Sequence, residues 1–451
     1  MSATVALSKF IAASSSSAMP RDVMHQAKRC FIDWLGVALA GSAEASVEVL
    51  CGVAEDMDTV DHATVLGRGR GTSLLFAVLI NGYTSHVLDY DDTYNPQRTT
   101  VHGCAPVWPV ILALGERRPV DGARALRAFV AGFETEIRIA LAAGPAHYEA
   151  GWHVTGTVGH FGAAAAAAGI LRLPPAAVAN ALGAAGTQAA GLKGVYGSMG
   201  KALHPGKAAM DGLLAALLAE KGFTASDSII DGKHGFLQVL SPEADAEWVT
   251  RDLGEQWTVL EDGFKPYACG SLTHPTIEGV IELRQQHGLN PESIESIEAT
   301  VNDYVSWVTA KDEPTTGLEG KFSIYHCAAV AAVDGGASVG QFEDDRVIAP
   351  DIVAMRRRVT IAVDESLPKD AASVTITLTD GRRLTCEVTH NKGTPAKPMT
   401  DAEIEAKFLE LAGPRIGGDV ARDVVSRCWG LELCHDVGEI ARLCRGPHRR
   451  P

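Results

Sequence analysis

The stretch TVGHFGAAAAAAGIL, residues 157–171, decides the fold of this chain. Alanine is the best helix former. Alanine and glycine also let neighbouring helix backbones approach closely, so the stretch reads as a helix in a close-packed helical core. The run Ala163–Ala168 is too short, and its side chains too small, to cross a bilayer, and no other apolar run is long and pure enough. Residues 175–190 and 207–221 repeat the theme on one side. On the other, 105–118 and 122–143 read as helices, and 72–88 (TSLLFAVLINGYTSHVL) as a nearly all-apolar buried one. Residues 21–41 carry apolar positions at helical spacing and stop at Gly41. The first eighteen residues lack a basic segment, and Ser8, Lys9 and Ser14–Ser17 break their apolar run. They read as a helix ending before Pro20 rather than as a signal peptide.

The texture changes near residue 265. Ile294–Val301, Val359–Val363, Val374–Leu378 and Leu384–Val388 alternate with period two, and Asp380-Gly381 marks a tight hairpin turn. Helices persist at 275–287 and 323–333, and 401–445 returns to helix. The basic tail Arg445–Pro451 is expected to fray. The fold class is therefore mainly α: a large all-helical domain, residues 1–264 completed by 401–451, with a smaller α+β domain inserted at 265–400. A length of 451 residues agrees with two cores rather than one.

Composition narrows the function. The formal charge of −15 argues against a basic nucleic-acid groove and demands a local positive pocket if the substrate is an anion. Nine cysteines without a Cys-x-x-Cys pair fit a reducing, cytoplasmic setting. Cys428, Cys434, His435 and Cys444 lie close in sequence, but helix packing explains them better than zinc does.

Asp89-Tyr90-Asp91-Asp92-Thr93 ends the apolar helix. Carboxylates this close repel one another unless something relieves them. Three readings are open: a solvated, capped helix end; a magnesium site, which needs a second acidic cluster such as Glu134 and Glu136; or an acid/base site. The following loop, Asp92–His102, favours the last. It carries Arg98, which can hold a carboxylate by two bonds, and His102, which titrates near neutrality.

Three further polar islands follow. Gly151–Thr157 places His153 before a helix, whose N-terminal amides suit an anion. Lys201–Ala208 sets Lys201, His204 and Lys207 where the 207–221 helix opens. It lacks the phosphate-loop spacing, and Gly67–Gly71 lacks the dinucleotide spacing. Phe264–Gly270, with His274 beyond, holds Lys265 at the domain boundary. Cys269 there has no evident base beside it. Tyr325 opens a helix of the inserted domain, as packing or as a phenol facing the site.

Taken in order, Asp89–Thr93 with His102, Gly151-Trp152-His153 with Thr155, the Lys201–Ala208 segment, Lys265-Pro266-Tyr267 and Gly317–Ser323 resemble the MmgE/PrpD family over nearly the whole chain. That resemblance implies a helical domain with an α+β lid, no metal or organic cofactor, and a homodimer. It implies a small di- or tricarboxylate as substrate, and no nucleic-acid or membrane partner. The family includes 2-methylcitrate dehydratase, cis-aconitate decarboxylase and iminodisuccinate epimerase. Where the decarboxylase branch has a histidine five residues after the lysine, this chain has Gly270. By the resemblance, Asp89, His102, His153 and Lys201 would be catalytic. Thr93, Lys265 and Tyr325 would bind substrate, joined on their own chemistry by Arg98 and His204. Asp91 and Asp92 would cap and hold the loop, and Asp89 would orient a histidine or a lysine. The expected activity is a lyase of dehydratase or decarboxylase type, with carbon–oxygen cleavage ahead. The alternatives are an epimerase, a magnesium-dependent all-α enzyme and a non-catalytic helical scaffold.

Overall fold

The computed structural model describes residues 2–57, 60–96 and 98–447; the last four residues of the basic tail lie outside them. The chain forms two compact units. The larger takes Met1–Val87, Asp91–Gly263 and Thr400–Pro451, the smaller Leu88–Tyr90 and Phe264–Met399.

The larger unit opens with α1 (Ala3–Ser14), α2 (Arg21–Gly41) and α3 (Ala45–Met57). A short antiparallel pair follows, β1 (Ala63–Val65) and β2 (Arg70–Thr72). Next come α4 (Leu74–Thr84), α5 (Cys104–Arg117), α6 (Gly122–Glu149), α7 (Val154–Leu171), α8 (Pro175–Gly186) and α9 (Gly200–Glu220). The Ala/Gly helix α7 is almost wholly buried and packs against α5, α6, α8 and α9. Missing side chains are what let it do so. A β-carbon on Gly132 of α6 would stand 2.8 Å from the Gly162 carbonyl oxygen of α7. One on Gly212 of α9 would stand 2.5 Å from the β-carbon of Ala163. Gly82 of α4 meets Gly206 of α9 in the same way, at 2.8 Å from its α-carbon. Around these crossings the larger residues fill space. Trp108 of α5 lies between Phe31 and Phe129, with ring centroids 4.3 and 4.6 Å away.

Four expectations change. The 122–143 helix runs on to Glu149 through a kink at Gly144, where φ is 66° and Pro145 removes an N–H. The 72–88 helix stops at Thr84. The helix expected to open at 207 begins at Gly200, so Lys201 and His204 stand in its first turns. And α7, counted from Val154, is long and apolar enough to cross a membrane; its residues are buried inside the helical unit instead.

The smaller unit is a four-stranded sheet of order β4-β3-β5-β6, with β3 (Ile294–Val301), β4 (Val359–Val363), β5 (Ala372–Leu378) and β6 (Arg383–Val388). β3 runs parallel to β4 and antiparallel to β5. The β5–β6 hairpin turns through Asp380-Gly381, where Gly381 has φ 85°. Ala372, Val374, Ile376 and Leu378 of β5 form its buried face. Helix α10 (His274–His287) packs on β5 and β6, and α11 (Ile324–Val333) on α10.

The chain then returns to the larger unit as α12 (Asp401–Ile416) and α13 (Gly418–Trp429). Thr400 and Glu403 form a reciprocal capping box at the start of α12. Lys407 of α12 reaches Asp33 of α2 at 2.7 Å, and both side chains are buried. Removing one partner of such a pair would strand a charge in the core.

The crossings predict that Gly212→Ala destabilises the protein. Alanine gains about 1 kcal/mol of helix propensity. The added carbon, however, meets the backbone of Ala164 at 2.7 Å as well as Ala163. Overpacking of this kind costs about 1–3 kcal/mol. The expected net result is a lower urea midpoint; an unchanged or raised midpoint would show that the α7–α9 contact is not tight.

Candidate active site: imidazoles on a shared carboxylate

After α4 the chain passes His86, visits the smaller unit at Leu88–Tyr90 and re-enters the larger one at Asp91. Asp91 is fully buried, and its Oδ2 meets two imidazoles: His86 Nδ1 at 2.8 Å and His102 Nδ1 at 3.2 Å. His102 Nδ1 also lies 2.8 Å from the carbonyl oxygen of Asp92. A carbonyl only accepts, so Nδ1 carries the proton, and the neutral ring presents its lone pair at Nε2. The backbone N–H of His102 donates to Thr155 Oγ1 at 3.0 Å, which ties the loop to the first turn of α7.

The other members come from helix starts. His153 is the N-cap residue of α7. Its Nδ1 lies 2.8 Å from Nδ1 of His204 on α9, so these two nitrogens share one proton. Gly156 and Gly191 leave the room His204 occupies; a β-carbon at either would come within 3.3 Å of it. The His86 ring stands 4.4 Å from His102 and 5.9 Å from His153, centroid to centroid. Tyr196 meets His153 edge-on at 5.3 Å, and the Lys201 ammonium lies 5.6 Å above the Tyr196 ring.

Burial and mutual repulsion set the charges. Burial pushes the Asp91 carboxyl up, but the charges and hydrogen bonds of His86 and His102 outweigh it and hold the group well below the usual range. His86 is lowered to about 4 by burial, only partly opposed by Asp91. His153 falls well below 6.5, first through burial and then through His86, Lys201, His102 and His204. His204 is lowered by burial and by His160 and Lys201. The group is therefore a set of close imidazoles beside a lysine; burial first, and then repulsion between neighbouring cations, keeps His86, His153 and His204 poor in protons.

The remaining sequence candidates are distributed as follows. Thr93 bridges to Gly263 through its backbone, and its Oγ1 is buried without a partner. Arg98 is directed elsewhere: its Nε donates to the Leu141 carbonyl and its guanidinium lies 4.9 Å over the Trp248 ring. Lys207 pairs with Asp211, which also meets His160, so it does not join Lys201. Within the smaller unit, Asp89 has φ 53°, a left-handed conformation that Asp tolerates better than most residues. Its Oδ1 accepts from Lys265 Nζ at 2.7 Å, and its carbonyl accepts from the same ammonium at 2.9 Å. Asp89 thus holds a lysine, while the carboxylate that holds the histidines is Asp91 rather than a residue limited to fixing the loop. Lys321 donates to the Leu88 carbonyl. Tyr325 packs on the apolar cluster of Val301, Val305 and Ile324.

Sequence reasoning missed His86. Its only signal was a polar residue near the end of an apolar run. A magnesium site gains no support from Glu134, which is held by Arg138 at 3.0 Å and by Thr258. The donor atoms of His86, Asp91 and His102 are close enough to share an ion. Both Nδ1 atoms are already hydrogen-bonded, however, and the carbonyl facing His102 calls for a proton there.

Residues 5–249 match the MmgE/PrpD N-terminal domain and residues 267–431 the MmgE/PrpD C-terminal domain. Among curated proteins the chain is 27% identical to the cis-aconitate decarboxylase of Aspergillus terreus, over 96% of this chain and 94% of that protein. It is 27% identical to the cis-aconitate decarboxylase-like protein oryM of Aspergillus oryzae, over 98% and 97%. It is 25% identical to the cis-aconitate decarboxylase of Homo sapiens, over 94% and 91%. Matches that together span both units place the chain in the MmgE/PrpD family.

Proposed function

We propose that this protein is a lyase that acts on a small di- or tricarboxylate by proton transfer at a carbon next to a carboxylate. The observation that carries this reading is His102. Its Nδ1–H is held by the Asp92 carbonyl and by Asp91, so Nε2 is left for proton transfer in a group that runs through His86 to His153, His204 and Lys201. In a chain of charge −15, this is a local group of potential cations, as an anionic substrate requires.

The names of the relatives favour carbon–carbon over carbon–oxygen cleavage as the subtype. In such a step the bond to one carboxylate carbon breaks and carbon dioxide leaves. The electron pair delocalises toward a remaining, conjugated carboxylate, where Lys201 stabilises the added charge. A proton taken from solvent onto His102 Nε2 when the polyanion binds then passes to the carbon, and the ring returns to its neutral form. Asp91 keeps the ring oriented throughout and stabilises its charged form. The substrate's own carboxylates serve as the electron sink. Because Gly270 departs from the decarboxylase pattern, the substrate is proposed as a polycarboxylate of this class rather than as cis-aconitate itself.

Proton NMR in D₂O with cis-aconitate, citrate, 2-methylcitrate and iminodisuccinate tests the reading. Turnover, or deuterium entering an α-position, is the expected result with at least one of them; inertness toward all four would favour a scaffold. With the active substrate, His102→Gln, His153→Ala and Lys201→Ala should each reduce turnover by about a hundredfold or more, with unchanged circular dichroism. Near-normal rates in these variants would remove the assignment of the site.

The depressed imidazoles make a second prediction. A bound polyanion favours the charged form of His153 and His204, so their affinity for protons rises on binding. At pH 7, binding should therefore take up protons, and affinity should fall as the pH is raised from 6.5 to 8. Calorimetry in buffers of different ionisation enthalpy measures the uptake; proton release would contradict the proposed charge state.

A further inference from the structure

Two residues beyond His102 lies a second buried group that the proposed chemistry does not use. Cys30 of α2, Cys104 at the start of α5 and Asp262 bring two sulfurs and a carboxylate oxygen within 4.8 Å of one another, all three residues buried. The Cys30 thiol donates to Asp262 Oδ2 at 3.5 Å, and the Cys104 sulfur lies within 4.8 Å of both. Oδ1 of Asp262 is buried with no hydrogen-bond partner. The charged neighbours that act most strongly on Asp262 are Asp92 and Asp33, both acidic, and Lys407 already answers Asp33. Converging acidic groups and soft donors, with a buried oxygen left over, form an environment that a cation would satisfy.

We infer that Cys30, Cys104 and Asp262 form a structural site for a thiophilic divalent cation of the zinc type. Tetrahedral zinc, with bonds of about 2.0–2.3 Å, sets its donors about 3.3–3.8 Å apart, which the spacing of this group accommodates. Sulfur donors select such an ion over magnesium or calcium. On binding, the ion displaces the protons of both thiols and of the carboxyl, leaving three anionic donors around a double positive charge. Asp92, whose carboxylate accepts the Cys104 N–H at 3.1 Å, lies beside the three donors but outside their group and would have to turn toward the ion to become a fourth. The ion would tie α2 to α5 and fix the Asp92–Cys104 loop that carries His102. Burial suits a structural rather than a reactive ion. The inference is independent of the substrate assigned above.

The test is metal content. Protein expressed in zinc-supplemented medium and purified without chelator should carry about one zinc per chain by mass spectrometry. Expression with cobalt(II) should give a thiolate-to-cobalt absorption band. Cys30→Ser and Cys104→Ser should lose the metal, and Cys269→Ser should keep it. Should the serine variants fail to fold, the wild-type metal content and the cobalt band decide alone. Three results would overturn the site: little zinc together with no cobalt band, metal retained in both serine variants, or a denatured thiol count short by two, which would mean a Cys30–Cys104 disulfide.

Discussion

The contact on which most of the larger unit depends is the close crossing of α7 with α6 and α9. Gly132, Gly162 and Gly212 remove the side chains that would hold these backbones apart. The same closeness lets the N-cap of α7 and the first turns of α9 bring His153 and His204 to hydrogen-bonding distance. A core paved with alanine has little side-chain volume to move and little rotamer freedom to lose. Rigid helices of this kind can hold imidazoles to within a fraction of an ångström, as proton transfer requires.

Dryness then governs the charges. Asp91 keeps its negative charge because two imidazoles surround it. Its neighbour Asp92 lacks that relief; burial, and then the charge on Asp91, raise it to about 7. Glu136, fully buried and with neither oxygen hydrogen-bonded, is pushed well above its usual range by burial and by Asp92. Adjacent carboxylates in one segment thus have opposite behaviour. The backbone explains why: Asp92 turns its carbonyl, not its carboxylate, to His102, and uses the carboxylate on the Cys104 N–H at the start of α5.

Much of this was legible in sequence where a pattern repeats. Helical spacing in 21–41 and period-two alternation in Ile294–Val301 were realised with the same bounds, because a buried face imposes its period on the residues that form it. The mixed pairing of β3 was not legible, since alternation says which face is buried but not which strand lies alongside. His102, His153, Lys201 and His204 were found as polar islands and lie in one group. Arg98 and Lys207 had the same local signal and went to Trp248 and Asp211 instead. Sequence shows that a charged residue is present; only the fold shows what it meets. His86 and Cys30 illustrate the reverse, since each looked like a core residue until His153 and Asp262, far along the chain, came beside them.

The path of the chain has a consequence for its synthesis. Leu88–Tyr90 belongs to the smaller unit, yet its lysine partners, Lys265 and Lys321, follow 176 and 233 residues later. Asp33 of α2 waits for Lys407, 374 residues on. The smaller unit is complete only at Met399, and the larger only once α12 and α13 have been made, so the N-terminal half of the chain cannot finish a domain while the rest is being synthesised. The nascent chain must carry a long apolar α7 and an unneutralised Asp33 through most of its translation. Consolidation of the larger unit falls late, when closure of these long loops sets the pace.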